Sequence, residues 1–288
     1  MQRTRRYYLA LGYDNPYKWA QFEHVPFAHM RKALSKTKIG LVTTAAPYRH
    51  DLGDQGPGAP YNGSAKFFDV YARSIGGEPD VRISHIAYDR THTKGEDINT
   101  WFPLKALKKA ATAGSIGSIS KRFYGLPTNR SHSTTKEKDC PALLNLLRED
   151  DVDAAILVPN CPVCHQSCSF AANHLEEAGI PTVIMGCASD IVEHAGVPRF
   201  LFSDFPLGNS AGKPHDLGSQ ERSLAHALAL LESASKPRTT QQSPIIWSID
   251  DDWKQDYSNP DKLSADELSR RRSEFDAQKK AVPSTKKY

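Results

Sequence analysis

The chain has 288 residues, with 37 Lys and Arg against 33 Asp and Glu, a formal charge of +4, 39% hydrophobic and 24% charged residues. This is the balance of a globular enzyme, and the excess charge sits near the ends, at Arg3, Arg5 and Arg6 and in the last Lys/Arg-rich stretch, so nucleic acid is not an expected partner. No apolar run approaches the roughly 20 residues of a membrane helix, and MQRTRRYYLALGYDNP lacks the core of a signal peptide; a cytoplasmic protein with no membrane contact is expected.

In chain order, residues 38–44 (KIGLVTT) read as a buried strand. A Gly/Pro-rich loop over 47–63 is long enough to cover an active site. Residues 64–74 place Phe67, Phe68 and Tyr71 at helical spacing, and 81–86 are a second candidate strand. Pro103 opens a helix over 103–112. Residues 141–149 form a helix with Leu143, Leu144 and Leu147 on one side, and 153–158 (DAAILV) are the clearest strand. A helix over 166–178 ends at Gly179, a residue type favoured just past a helix end. Strands follow at 181–185 (PTVIM) and 200–202, then an amphipathic helix at 219–232.

This alternation predicts an α/β protein: a three-layer domain with a mostly parallel sheet, arranged as two similar βαβ halves around a cleft. The expected organisation is an α/β domain over 1–235, with room for two sub-lobes, followed by a linker (TTQQSP) and a charged extension over 236–288. In that extension, Ser264 and Glu267 form a capping box that starts a charged helix.

Three of the five cysteines crowd into 161–168. A secreted disulfide framework would spread them, so redox, nucleophilic or metal chemistry is indicated. In DAAILVPNCPVCHQSCSF, a buried strand ends at Val158, the chain turns through Cys161 and Cys164, and a helix begins near His165. Ligands of open parallel sheets bind at the carboxyl ends of strands. The free N–H groups and positive dipole end of the helix should lower the pKa of a cysteine there, Cys161 first, making it reactive. Two thiols three positions apart can also close a disulfide, to be reopened by an external thiol or a thioredoxin-like reductant; no other cofactor is indicated. Two alternatives stand beside this. One is a zinc or iron–sulfur site on Cys161, Cys164, His165 and Cys168, without the second CxxC knuckle of strong zinc motifs. The other is packing alone, which suits one cysteine better than three. Cys140 and Cys187 read as ordinary buried or half-buried thiols.

Three blocks resemble the selenoprotein B family of glycine, sarcosine, betaine and D-proline reductases, in the size and order of the small subunit of D-proline reductase. They are SHIAYDRTHTKGEDINTWFPLKAL (84–107), DDVDAAILVPNCPVCHQ followed by EEAGIPTVIM (150–166 and 176–185), and GVPRFLFSDFPLGNSAGKPHD (196–216). The resemblance implies a thiol-dependent reductase or reductive lyase that cleaves a C–N or similar bond near a carboxylate or carbonyl of a small molecule. It places Cys161 at the selenocysteine position and Cys164 at its cysteine partner, and it implies a second reductase subunit carrying a pyruvoyl group. Cysteine replaces selenocysteine and Pro162 replaces glycine, while Cys168 and the tail after Lys236 have no counterpart. A non-catalytic partner subunit that has kept the fold is the further alternative, and a homo-oligomer is expected.

Within the matching blocks, His85 and His165 are candidates for proton transfer, and Asp89, Asp97, Asn99, Asn209 and His215 for substrate binding. Asp97 and Asn99 equally suit an Asx turn before the helix at Pro103. Lys121, Arg122 and Arg130 are three cations suited to hold a carboxylate, with nothing in the sequence to choose among them.

Overall fold

The computed structural model describes residues 1–12, 17–55 and 62–281. Its helices and strands, in order, are α1 (Gln2–Ala10), β1 (Lys38–Thr43), β2 (Ala46–Pro47), β3 (Tyr71–Ser74), β4 (Val81–Arg82), α2 (Leu104–Thr112), β5 (Ser118–Ile119), β6 (Arg122–Gly125), α3 (His132–Thr134), α4 (Cys140–Glu149), β7 (Ala154–Val158), α5 (Pro162–Glu177), β8 (Thr182–Gly186), α6 (Ser189–Ala195), β9 (Arg199–Phe202), α7 (Leu217–Ser233), β10 (Thr239–Gln242), α8 (Trp253–Asp256) and α9 (Ala265–Ala281). Eight strands make one sheet in the order β10-β9-β8-β7-β1-β6-β3, with β5 also on β1. All pairings within it are parallel except β3 on β6.

Strand alternation sorts the core into two layers. Ile39, Leu41, Ile156, Val158, Val183, Met185 and Leu201 point to the face covered by α2 and α7. Val42, Ala155, Leu157, Ile184 and Phe200 point to the face covered by α4, α5 and α6. Every residue of β7 is buried, which is why it reads as a continuous apolar run rather than an alternating one. The fold is therefore the expected three-layer α/β arrangement, built on one continuous sheet rather than on two separate halves. From β1 the chain steps to β6 on one side, and from β7 it steps to β8 on the other. The β1/β7 junction is thus the topological switch point, where open parallel sheets bind ligands. After β9 the chain must reach α7 on the opposite face from α6, so residues 203–216 cross the carboxyl ends of the sheet. There Ser210 Oγ donates to Pro159 O (3.1 Å), and the Asp89 N–H donates to Leu207 O (2.9 Å).

Several expectations change. Residues 64–74 are not a helix: a short turn, Gly63–Ala65, precedes edge strand β3, whose Tyr71 hydroxyl donates to Ala45 O (2.7 Å). Here the aromatics serve sheet-edge packing, with Phe67 edge-on to Tyr71. In the candidate strand over 81–86 only Val81–Arg82 pairs, with β2 and outside the main sheet, which frees 83–86 to carry His85 away from it. The TTQQSP linker contains β10, paired in parallel with β9. Its polar residues make it an exposed edge that gives no hydrophobic signal. The loop read as an active-site cover lies partly outside the described residues, at 56–61. The helix at Ser264 forms, and the Ser264 hydroxyl accepts the Glu267 N–H (3.2 Å). The Glu267 carboxylate pairs with Arg270 and Arg271 instead of closing the capping box.

The terminal segments lie over the carboxyl edge. Arg6 pairs with Asp261 (2.9 Å), Arg271 donates to the Tyr7 hydroxyl (3.2 Å), Lys254 pairs with Asp204 (2.6 Å), and Tyr257 Oη donates to Ala87 O (2.9 Å). Among the described residues, no helix is long and apolar enough to cross a membrane.

Candidate active site

The helix after β7 begins four residues earlier than its apolar pattern suggests. Cys161 is its N-cap in extended backbone (φ −147°, ψ 171°), and its sulfur accepts the Cys164 N–H (3.2 Å). Pro162 takes the first helical position, where a missing N–H costs nothing and φ is already set. Cys164 lies one turn along, and the two Sγ atoms are 2.7 Å apart with both cysteines free. Cys161 is 6% exposed and Cys164 0%.

Two further side chains close on the sulfurs. Thr128, in the loop after β6, has its hydroxyl 3.2 Å from Cys164 Sγ. His85 Nε2 lies 3.2 Å from the same hydroxyl, and His85, Cys161 and Cys164 bring their ligand atoms within 4.8 Å of one another. Burial pushes the Cys161 thiol well up, helped by the neighbouring sulfur. Burial also opposes ionisation of Cys164, but the Cys161 thiol, His85 and Thr128 outweigh it and hold Cys164 well below the usual thiol range. The lowered pKa expected at Cys161 thus falls to Cys164. The two sulfurs are close enough to titrate as a unit, with the surroundings favouring the proton on Cys161 and the charge on Cys164.

His165 is placed differently from its expected role. It is fully buried; Nδ1 donates to Cys161 O (2.7 Å), and Nε2 accepts from the N–H groups of Cys187 (2.9 Å) and Ala188 (3.3 Å). Burial lowers its pKa, and the neutral ring ties the cysteine turn to the end of β8. Gly186 admits that ring, since a Cβ there would sit 2.8 Å from it. The expected metal ligands Cys161, Cys164, His165 and Cys168 do not assemble. Cys168 faces the α4/α5 core with Cys140, burial raising the first well above the usual thiol range and the second to about 12. Cys187 lies beside Ser210 (3.5 Å) and is raised to about 11, again by burial.

The candidate substrate residues are occupied by internal bonds. Asp89 accepts the N–H groups of Thr91 and His92 and the His92 ring N–H (2.9 Å). Asp97 accepts from Asn99, from the His215 N–H (2.8 Å) and from Gln220 Nε2 (2.7 Å), which fastens the 97–100 turn to the 203–216 loop. This is the Asx-turn reading of Asp97 and Asn99. The Asn209 amide bridges the Tyr88 hydroxyl (3.1 Å), Thr93 (3.2 Å) and Pro206 O (2.9 Å). Gly208 (φ 106°) lets these loops meet, because a Cβ there would lie 2.1 Å from the Tyr88 ring. His215 is exposed.

The three candidate cations separate cleanly. Lys121 and Arg122 are at the amino end of β6 and pair with Asp150 (3.6 and 2.7 Å), Arg122 also with Glu149 (3.0 Å). Arg130 is at the sulfur end, exposed, over the Tyr8 ring (5.7 Å), and pairs with no acidic side chain among the described residues. Tyr8 and Tyr17 both lie within electrostatic range of Arg130 and of Cys161, and Lys66 is in range of Cys161 as well. Sequence reasoning did not single out Thr128: an isolated threonine carries no pattern, and only the β6–α3 loop brings it to the sulfur.

Fold and site together define an α/β protein with a buried dithiol at the switch point. The glycine/sarcosine/betaine reductase selenoprotein B family model matches residues 10–160, up to the residue before Cys161. The chain is 29% identical to the D-proline reductase subunit gamma of Acetoanaerobium sticklandii over 53% of this chain and 63% of that one. It is 28% identical to the glycine reductase complex component B subunit gamma of Carboxydothermus hydrogenoformans, over 76% and 49%. It is 24% identical to the sarcosine reductase complex component B subunit beta of Peptoclostridium acidaminophilum, over 72% and 45%. The chain therefore spans about half to 63% of the length of these relatives. No solved structure matches it. The chain belongs to the glycine/sarcosine/betaine reductase selenoprotein B family.

Proposed function

We propose that this chain is a cytoplasmic thiol-dependent reductase subunit that opens a C–N bond next to the carboxylate of a small amino acid such as D-proline, glycine or sarcosine. The observation that carries this is a pair of buried sulfurs 2.7 Å apart at the helix N-cap beside the switch point, close enough to share one proton. Passing that proton from Cys161 to Cys164 makes Cys161 the thiolate at the helix N-cap, where the Cys164 N–H and the helix dipole stabilise it. The Cys161 thiolate attacks the α-carbon. A C–S bond forms, the C–N bond breaks with its electron pair on nitrogen, and nitrogen takes the proton from the Cys164 thiol, which leaves Cys164 as the thiolate. The Cys164 thiolate then attacks Cys161 Sγ. An S–S bond forms, the C–S bond breaks with its pair on carbon, stabilised by the adjacent carbonyl, and carbon takes a proton. The substrate gains two electrons, the dithiol becomes a disulfide, and an external thiol or thioredoxin-like reductant resets it. Arg130 is the cation best placed to hold the carboxylate.

The test incubates the reduced chain with each amino acid, alone and with a partner subunit that carries a carbonyl group. Substrate-dependent formation of the Cys161–Cys164 disulfide, read by alkylation and peptide mapping, is expected together with product. Undiminished turnover by Cys161→Ser would refute the mechanism.

A further inference from the structure

We propose that the His85, Cys161 and Cys164 cluster is also a binding site for one soft divalent cation, Zn²⁺, and that an occupied site withholds the dithiol from redox use. The three ligand atoms lie within 4.8 Å of one another and come from two separated parts of the chain, the 83–87 segment and the start of α5. Two thiolates and an imidazole are three of the four donors of a tetrahedral zinc site, and the fourth position stays open for water or an outside ligand. The outer hydrogen bonds that zinc thiolates use are already made. The Cys164 N–H donates to Cys161 Sγ, and the Thr128 hydroxyl sits on Cys164 Sγ, as the groups surrounding a metal ligand do.

The imidazole has a nitrogen to give. His85 is 6% exposed; Nε2 meets Thr128, whereas Nδ1 is buried and has no hydrogen-bond partner among the described residues. The Asn160 amide, directly before Cys161, is likewise fully buried, with both its oxygen and its nitrogen unpaired among the described residues. Buried polar atoms without partners are rare and call for a ligand or water.

Metal and disulfide exclude each other here for geometric reasons. Zinc–sulfur bonds of about 2.3 Å in a tetrahedron set the sulfurs about 3.8 Å apart, whereas a disulfide needs about 2.05 Å. The present 2.7 Å lies between the two, so ligation parts the sulfurs and oxidation brings them together. Neither Cys168 nor His165 takes part, since one faces the α4/α5 core and the other has both ring nitrogens on backbone groups.

The full-length reduced chain is titrated with Co²⁺ and then Zn²⁺, without substrate, so that the result does not depend on the reductase reading. One Co²⁺ per chain with a thiolate-to-cobalt charge-transfer band is expected, and Zn²⁺ should displace it. Cys161→Ser and Cys164→Ser should each abolish the band. His85→Ala should weaken binding by at least about tenfold, and Cys168→Ser should leave it unchanged. In the wild-type chain, which carries no folding risk, Zn²⁺ should protect Cys161 and Cys164 from alkylation and slow their oxidation. The proposal is overturned by cobalt binding without the band, by binding that needs Cys168, by unchanged affinity in His85→Ala, or by alkylation of the pair at the same rate with and without Zn²⁺.

Discussion

Replacing Thr128 with valine removes one hydroxyl and keeps the shape of a buried side chain. With the charge on Cys164, that hydroxyl donates to the sulfur across 3.2 Å and receives the N–H of His85 Nε2. A hydrogen bond to a charged partner contributes about 1.5–3 kcal/mol, and one pKa unit corresponds to about 1.4 kcal/mol. Thr128→Val should therefore raise the lower apparent pKa of the dithiol by about 1–2 units. The assay is thiolate absorbance against pH, paired with iodoacetamide alkylation at each pH and mapping of the modified peptide. Where the pH lies below the wild-type value, the thiolate fraction and alkylation of the pair should fall by about 10–100-fold. Cys140 and Cys168 serve as buried thiols that do not respond. An apparent pKa that stays within half a unit of wild type, by the roughly 1–2 unit yardstick above, would mean that the hydroxyl does not serve the sulfur.

Arg199 and Glu176 form an ion pair (2.7 Å) with both side chains at 0% exposure, and Glu176 also accepts the Thr182 hydroxyl (2.9 Å). Arg199→Met leaves a buried carboxylate without its counter-charge and should cost about 3–5 kcal/mol, seen as a Tm lower by about 6–20 °C. Adding Glu176→Gln should recover most of the loss, and a loss under about 1 kcal/mol would count against the pair. Burial opposes the charge on Asp97, but the donors on it, the His215 and Asn99 N–H groups first, hold its carboxyl below the usual range. A depressed folded-state pKa gives stability that is present above the unfolded value of about 3.9 and is lost as pH falls through the folded value. The stability gap between wild type and Asp97→Ala should accordingly be constant above about pH 5 and close below about pH 4. A gap that stays constant down through that window in thermal melts would show that the carboxylate charge contributes nothing.

Much of the architecture follows from sequence, because local patterns carry it. The apolar AAILV run could only be a strand buried on both faces, and its alternation with amphipathic stretches required crossovers and a parallel sheet. The short connection from Val158 put the cysteine pair at a strand end whatever the neighbours were. Edges and pairings were not legible, because β10 and β5 are held by backbone hydrogen bonds that leave no hydrophobic signature, and the aromatics of 64–71 serve a sheet edge at what looks like helical spacing. The site divided in the same way. Sequence alone determined that two thiols share one helical turn behind a proline. Tertiary structure alone decided which sulfur the surroundings favour as the thiolate, because that depends on Thr128 and His85 arriving from other loops and on burial that only the closed fold supplies. It also decided that His165 braces the turn, that Arg130 rather than Lys121 or Arg122 stands at the sulfur end, and that Cys168 faces away. Each of these turns on direction and distance between segments far apart in the chain, and spacing along the chain cannot encode that.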